Sequence, residues 1–184
     1  MVVHVLVAYA TRHGATQGIA GWIAETLARR GFEVTVRPAA QVGELSVYDA
    51  FVVGGAAYGG SWLSEASDFV RHRRHLLVDA PTWLFSSGPL GTGRIDDRGR
   101  DVLAIAEPKE FPEFRTTIRP RDTRVFFGAY DPTARPVGLL ERVTRLIPAA
   151  RSGLPAGDFR DRASVEAWAR CIASSLAADA AREP

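Results

Sequence analysis

Thr11-Arg12-His13-Gly14-Ala15-Thr16 carries the residue types that an anion cradle needs. It follows the apolar run Val5-Leu6-Val7-Ala8 and precedes a stretch with helical spacing. A turn from strand to helix aims unpaired backbone N–H groups outward, and the aligned peptide dipoles add about half a positive charge there. Two threonine hydroxyls supply further donors, and Gly14 lets the backbone close in on its guest. A phosphate monoester, with several acceptor oxygens, suits such a cradle. The same residues also read as a plain helix start, with Thr11 and Thr16 as caps and His13 in solvent. His13 has no neighbour in sequence that would make it a metal ligand or a general base.

Two more stretches have ligand-loop composition. Gly54-Gly55-Ala56-Ala57-Tyr58-Gly59-Gly60-Ser61-Trp62 combines small residues with two aromatics. Small residues let a backbone approach a flat ligand, glycines let peptides reorient, and Tyr58 and Trp62 could stack on a ring or wall it. A glycine turn with surface-packed aromatics is the plainer alternative. Ser86-Ser87-Gly88-Pro89-Leu90-Gly91-Thr92-Gly93 again follows an apolar run. One loop for phosphate and two for a planar heterocycle is the division of labour of an FMN site.

Other phosphate chemistries ask for different residues at these places. A dinucleotide site wants G-x-G-x-x-G and an acidic residue after the second strand, yet this loop has one glycine before Thr16, and Arg37 follows Val36. The Gly-Lys-Ser/Thr end of a P-loop is missing. A phosphoacceptor domain needs paired carboxylates after the first strand and an aspartate ending the third, where Tyr9-Ala10 and Gly54-Gly55 stand.

The elements that must position these loops alternate along one domain spanning residues 1–184. Strands are expected at Val2–Ala8, Phe32–Val36, Ala50–Gly54, Thr82–Ser86 and Arg124–Ala129, nearly continuous apolar runs of the kind buried on both faces. A first helix runs from Gly14 to Arg30 with Gly31 as its stop, and Ile19, Trp22, Ile23 and Leu27 on one face. A second starts at Ser61 or Trp62 and reaches Leu76, burying Leu63, Ala66, Phe69 and Val70. A third covers Gly138–Ile147, and a last one, capped by Asp161, buries Val165, Trp168, Ile172 and Leu176. Asp101–Ala106 reads as a short helix. Glu107–Asp122, punctuated by proline, reads as an irregular excursion, the sort of long loop that is functional or mobile. Five strands with intervening helices imply a doubly wound α/β parallel sheet of order 2-1-3-4-5, with ligands at the carboxyl ends of its strands.

Bulk properties narrow the setting. Net charge is +2, the only lysine is Lys109, and the one dense basic patch, Arg71-His72-Arg73-Arg74-His75, reads as a solvated helix face. No nucleic-acid partner is implied. The single Cys171 excludes an internal disulfide or a multi-cysteine metal centre and fits a cytoplasmic, reducing compartment. The amino-terminal apolar run is shorter than the roughly 20 residues of a membrane span and reads as a buried strand, not a signal peptide. Peripheral membrane contact is compatible with that reading.

Taken together, the loop Thr11–Thr16 resembles the T-x-T-G-x-T phosphate motif of the flavodoxin family, with His13 in place of the middle hydroxyl residue. It is similar still more closely to the T-R-x-G-x-T form of the menaquinone-dependent protoporphyrinogen oxidase branch. Gly54–Gly60 resembles the second flavin loop of that branch, and Phe126-Phe127-Gly128-Ala129 its last strand. The resemblance implies a flavodoxin-like fold and FMN. It puts Thr11, Arg12, His13, Gly14, Ala15 and Thr16 on the phosphate. Around the isoalloxazine ring it puts Ala56, Ala57, Tyr58, Gly59, Gly60 and Trp62, with Ser87, Gly88, Pro89, Leu90 and Gly91. No catalytic acid, base or metal ligand is assigned, since the redox chemistry belongs to the cofactor. Two functions are implied: an FMN-dependent oxidoreductase passing electrons from a porphyrinogen-like or other reduced substrate to a quinone, or an electron carrier docking with redox partners. Carrier flavodoxins are strongly acidic and this chain is not, which favours the enzyme. Arg94, Arg98 and Arg100 read either as surface arginines or as contacts for an anionic substrate.

Overall fold

The computed structural model describes residues 2–131, 133 and 155–182, and the helix expected over 138–147 lies outside them. The apolar runs become the strands β1 (His4–Ala10), β2 (Glu33–Pro38) and β3 (Ala50–Tyr58), then a short β4 (Ser61–Trp62), β5 (Thr82–Ser87) and β6 (Asp122–Phe126). The sheet order is β2-β1-β3-β5-β6, with β4 pairing antiparallel on β3. Every other pairing in this sheet is parallel, so the five main strands lie in the expected 2-1-3-4-5 order.

Alternation along the strands splits one apolar run between two cores. Val5, Val7 and Tyr9 of β1 join Ile19, Ile23 and Leu27 of helix α1 (Ala15–Ala28) on one face. Val165, Trp168, Ile172 and Leu176 of α5 (Arg162–Ala180) complete that layer, as expected. Leu6, Ala8 and Ala10 face the other way, toward Ala66, Phe69 and Val70 of α2 (Ser64–Leu77). The order of the helices is completed by α3 (Val102–Ile105) and α4 (Phe111–Thr117). Asp161 caps α5, its carboxylate accepting from the N–H groups of Ala163 and Ser164.

The segment 107–122 is not the irregular excursion that its prolines suggest. Pro112 sits in the first turn of α4, where its missing N–H costs no helical bond. Phe111, Phe114 and Ile118 are fully buried at helical spacing in the second core. The Lys109 N–H donates to the Gly60 carbonyl at 3.0 Å, and the Glu110 carboxylate accepts the Trp62 N–H at 3.0 Å. The segment is therefore a crossover helix that clamps the β3–β4 hairpin. Arg71 of α2 reaches the same helix through a two-pronged bond to Glu113, which ties down part of the basic patch.

The glycine stretch also differs from expectation. β3 continues four residues past Gly54 and turns back through Gly59-Gly60, whose φ angles are 57° and 75°. Two positive φ values in a two-residue turn match the twist of the flanking strands. Gly54 and Gly55 make room for the protein's own aromatics: a Cβ on Gly54 would lie 1.9 Å from the Phe85 ring, and one on Gly55 2.6 Å from the Trp62 indole. The last strand stops at Phe126, and β7 (Ala129–Tyr130) pairs separately with β8 (Gly157–Asp158).

A buried polar link fastens α1 to the sheet. Thr16 Oγ1 and Ser87 Oγ lie 2.8 Å apart, and both residues are buried. Next to it, the Ser86 hydroxyl is buried with no hydrogen-bond partner among the described residues.

Two pairs of substitutions test this packing by denaturant unfolding. Gly54→Ala is expected to cost about 1–3 kcal/mol, the usual penalty for forcing carbon into a filled core. Gly21→Ala, in α1 with nothing within 4 Å of where its Cβ would stand, is expected to gain about 0.5–1 kcal/mol from helix propensity. Equal signs for the two would contradict the contact with Phe85. Thr16→Val or Ser87→Ala leaves one buried hydroxyl without its partner and is expected to cost about 1–3 kcal/mol, with the double variant costing less than the sum. Ser86→Ala breaks no bond and serves as the control, with no loss of stability expected.

Candidate functional site

Three loops meet at the carboxyl ends of β1, β3 and β5. In the first, Thr11 Oγ1 accepts the Gly14 N–H at 3.0 Å, which folds the chain back on itself before α1 begins. Gly14 is the N-cap with φ 83°, a left-handed conformation that a side chain would strain. No side chain caps this terminus and no acidic residue stands in its first turn. The leading N–H groups of a helix have no intrahelical acceptors, and a Cβ on Gly14 would meet nothing within 4 Å. An open cradle of backbone donors with no acidic residue in the helix's own first turn fits a phosphate monoester.

Each pair of loops is in contact. The Arg12 guanidinium lies 5.4 Å from the centre of the Tyr58 ring, joining the first loop to the β3–β4 hairpin. A Cβ on Gly88 would lie 3.3 Å from Ala57, so the hairpin and the loop after β5 touch backbone to backbone. The Thr16–Ser87 bond joins the first loop to the third. The third is held from its far side as well, since Gly88 N–H donates to Phe126 O at 3.3 Å and Gly128 N–H to Pro89 O at 2.9 Å.

The residues singled out by sequence thus come together, with different parts to play. Thr11, His13, Gly14, Ala15, Ala57, Gly88, Pro89, Leu90 and Gly91 are half-buried, while Arg12, Tyr58, Gly59 and Gly60 are exposed. Ala56 is buried within β3. Thr16 and Ser87 commit their hydroxyls to each other, which leaves the Thr16 N–H as its contribution to the cradle. Trp62 is buried: its Nε1 donates to Gly55 O at 2.9 Å, and its ring meets Phe111 edge-on at 5.2 Å and Phe114 at 5.9 Å. Trp62 supports the hairpin from beneath, and Tyr58 is the aromatic at the rim. Arg94 pairs with Asp101 and Arg100 with Asp96, fixing a surface turn whose Asp96 carboxyl is held below the usual range chiefly by the Arg100 N–H.

One residue beside the site carried no sequence signal. Arg160 donates from Nη1 to the carbonyl of Ala15 at 3.2 Å, across the fold from its own segment. Its other nitrogens grip Asp158 (Nε to Oδ1 2.8 Å, Nη2 to Oδ2 2.6 Å), and that bonding holds the Asp158 carboxyl below, and the guanidinium above, their ordinary pKa values. The asymmetric run Asp158-Phe159-Arg160-Asp161 gives no periodicity from which this contact could be read. An open cleft of about 470 Å³ lies here, lined among the described residues by His13, Ala129, Tyr130, Asp131, Ala156, Gly157 and Asp158. Among the described residues no cluster of His, Cys, Asp and Glu could hold a metal ion, and no helix is long and apolar enough to cross a membrane.

Comparison with known proteins agrees with this geometry. Flavodoxin 2 from Bacillus cereus superposes with a TM-score of 0.60 at 19% identity, covering 94% of this chain and 99% of that one. A point mutant of flavodoxin from Pseudomonas aeruginosa gives 0.58 at 15% identity, covering 95% and 99%. Rubredoxin oxygen:oxidoreductase from the anaerobe Desulfovibrio gigas gives 0.60 at 16% identity, and this chain spans 95% of itself but only 36% of that protein's length. No curated protein matches the sequence. The family model described as "Flavodoxin domain" matches residues 6–141, most of the chain. With its sheet order, its three loops and this match, the chain belongs to the flavodoxin-domain family.

Proposed function

We propose that this protein binds FMN and acts as an oxidoreductase that exchanges electrons with a small-molecule or protein redox partner. The observation that carries the reading is the meeting of three loops around a helix N-terminus that is open, uncapped and free of acidic residues in its first turn. In that reading the backbone N–H groups of Ala15 to Gln17 and the Thr11 hydroxyl hold the phosphate. Thr11 is suited to this, because its oxygen accepts from Gly14 while its own proton stays available to donate.

The isoalloxazine ring supplies one- or two-electron transfer when bound. The chain's own residues place and shield it. The hairpin Ala56–Gly60 and the loop Ser87–Gly91 offer backbone amides and carbonyls at close approach, and Gly88 against Ala57 fixes their separation. Tyr58, 48% exposed, is positioned to cover a flat ligand and to limit the access of water. Trp62, Phe111 and Phe114 make the floor beneath the hairpin rigid.

An enzyme is favoured over a carrier by the charge of +2, since a carrier that docks with basic partners is served by an acidic surface. A quinone acceptor and a porphyrinogen-type donor are supported by the T-R-x-G-x-T resemblance of Thr11–Thr16 alone. The single Cys171 fits a cytoplasmic setting, and one domain is supported by α5, which packs into the same core as β1 and α1.

The test is the visible spectrum of the purified protein, followed by heat release and chromatography of the chromophore. A yellow protein releasing FMN is expected, with anaerobic reoxidation of its reduced form by a soluble quinone in repeated turnovers. A colourless protein that leaves added FMN unbound overturns the cofactor, and an FMN protein that reduces only protein partners overturns the enzyme in favour of the carrier.

A further inference from the structure

Arg160 is held in a way that fits a second task. Its side chain is 18% exposed and is fixed on three sides: Asp158 bonds two of its nitrogens, Ala15 O accepts the third, and the guanidinium carbon stands 4.9 Å from the centre of the Trp22 ring. Room for it exists because residue 18 is glycine, where a Cβ would fall 2.1 Å from Nη1. A planar fork that serves a carboxylate, a carbonyl and an aromatic face together is a task for arginine and not for lysine. Its place is electrostatically unusual. A cation beside the first turn of a helix opposes the macrodipole, which favours anions at that end. Asp158 and Trp22 hold it there against that field, and a phosphate at the N-terminus of α1 turns the same placement into an attraction.

We propose that Arg160 is a positioning residue of the phosphate cradle: through the Ala15 carbonyl it fixes the first turn of α1, and its charge favours a dianionic ligand on the N–H groups of that turn. The proposal rests on the FMN reading. It assigns part of the affinity for phosphate to a side chain that reaches the loop from the far end of the fold, with Gly18 as the residue that admits it.

The experiment is titration of the flavin-free protein with FMN and with riboflavin, which lacks the phosphate, for the wild type, Arg160→Met, Arg160→Lys and Gly18→Ala. Arg160→Met is expected to weaken FMN about tenfold, in the range of a charge at a helix terminus, while riboflavin affinity stays unchanged. Arg160→Lys, keeping the charge without the fork, should fall between. Gly18→Ala, which expels the guanidinium but favours the helix, should copy the methionine variant and guards against loss by misfolding. Equal weakening of both flavins, or no weakening of FMN, overturns the proposal and leaves the FMN reading standing. A wild type that binds no FMN overturns both. If riboflavin binds too weakly to measure, the ionic-strength dependence of FMN affinity decides, since loss of a cation makes it shallower and an unchanged slope overturns the proposal.

Discussion

Strands covered on both faces can present polar chemistry only at their ends. β1, β3 and β5 lie side by side at the centre of the sheet with helices above and below, and most of their residues are buried. Their apolar side chains in mid-strand are committed to one of two cores, so the backbone groups and small polar residues left for a ligand are where the chain leaves the carboxyl ends. The site is a consequence of this burial. Moving it would require a strand with a free face, and among the parallel strands only β2, at the edge, has no buried residue.

What the ends then need is mutual fixation, because three separate loops do not make one site. The structure supplies a different physical link for each pair. A guanidinium over an aromatic ring joins Arg12 to Tyr58 at the rim. A close approach, in which a Cβ on Gly88 would stand 3.3 Å from Ala57, joins the third loop to the hairpin. A buried hydroxyl pair joins Thr16 to Ser87 beneath them, where an unpaired group would be costly. Aromatic packing of Trp62 on Phe111 and Phe114 then carries the stiffness of the core into the hairpin.

Much of this was legible in the sequence, for identifiable reasons. The strands showed themselves as continuous apolar runs because burial on both faces erases alternation, and the last helix because Asp161 caps a full apolar stripe. The position of the three loops followed from strand order. Local composition was misleading where tertiary partners decided the outcome. The smallness of Gly54 and Gly55 serves Phe85 and Trp62, which no reading of the loop by itself could separate from room for a ligand. The helix α4 was hidden because its seven residues are too few to show a period and Pro112 reads as a breaker unless it is known to lie in the first turn. The direction of the Thr16 hydroxyl was likewise out of reach, since it depends on a serine on another strand.

The charge around the first loop follows the same logic of distant partners. A sequence with a net charge of +2 gives no hint of a strong field anywhere. Folding nevertheless sets Arg160, carried by a distant segment, against the turn that follows the loop, while the first turn of α1 carries no acidic side chain. Arg160 is paired with a carboxylate, Asp158, just as Arg71 is with Glu113, Arg115 with Glu107 and Arg121 with Asp179. What sets Arg160 apart is its third nitrogen, which serves the Ala15 carbonyl and so ties an ion pair to the helix terminus. On the proposed reading a phosphate held by backbone N–H groups needs no bulk positive charge, and a nearly neutral surface neither repels an anionic substrate nor attracts basic proteins, which suits small-molecule chemistry better than docking by bulk charge.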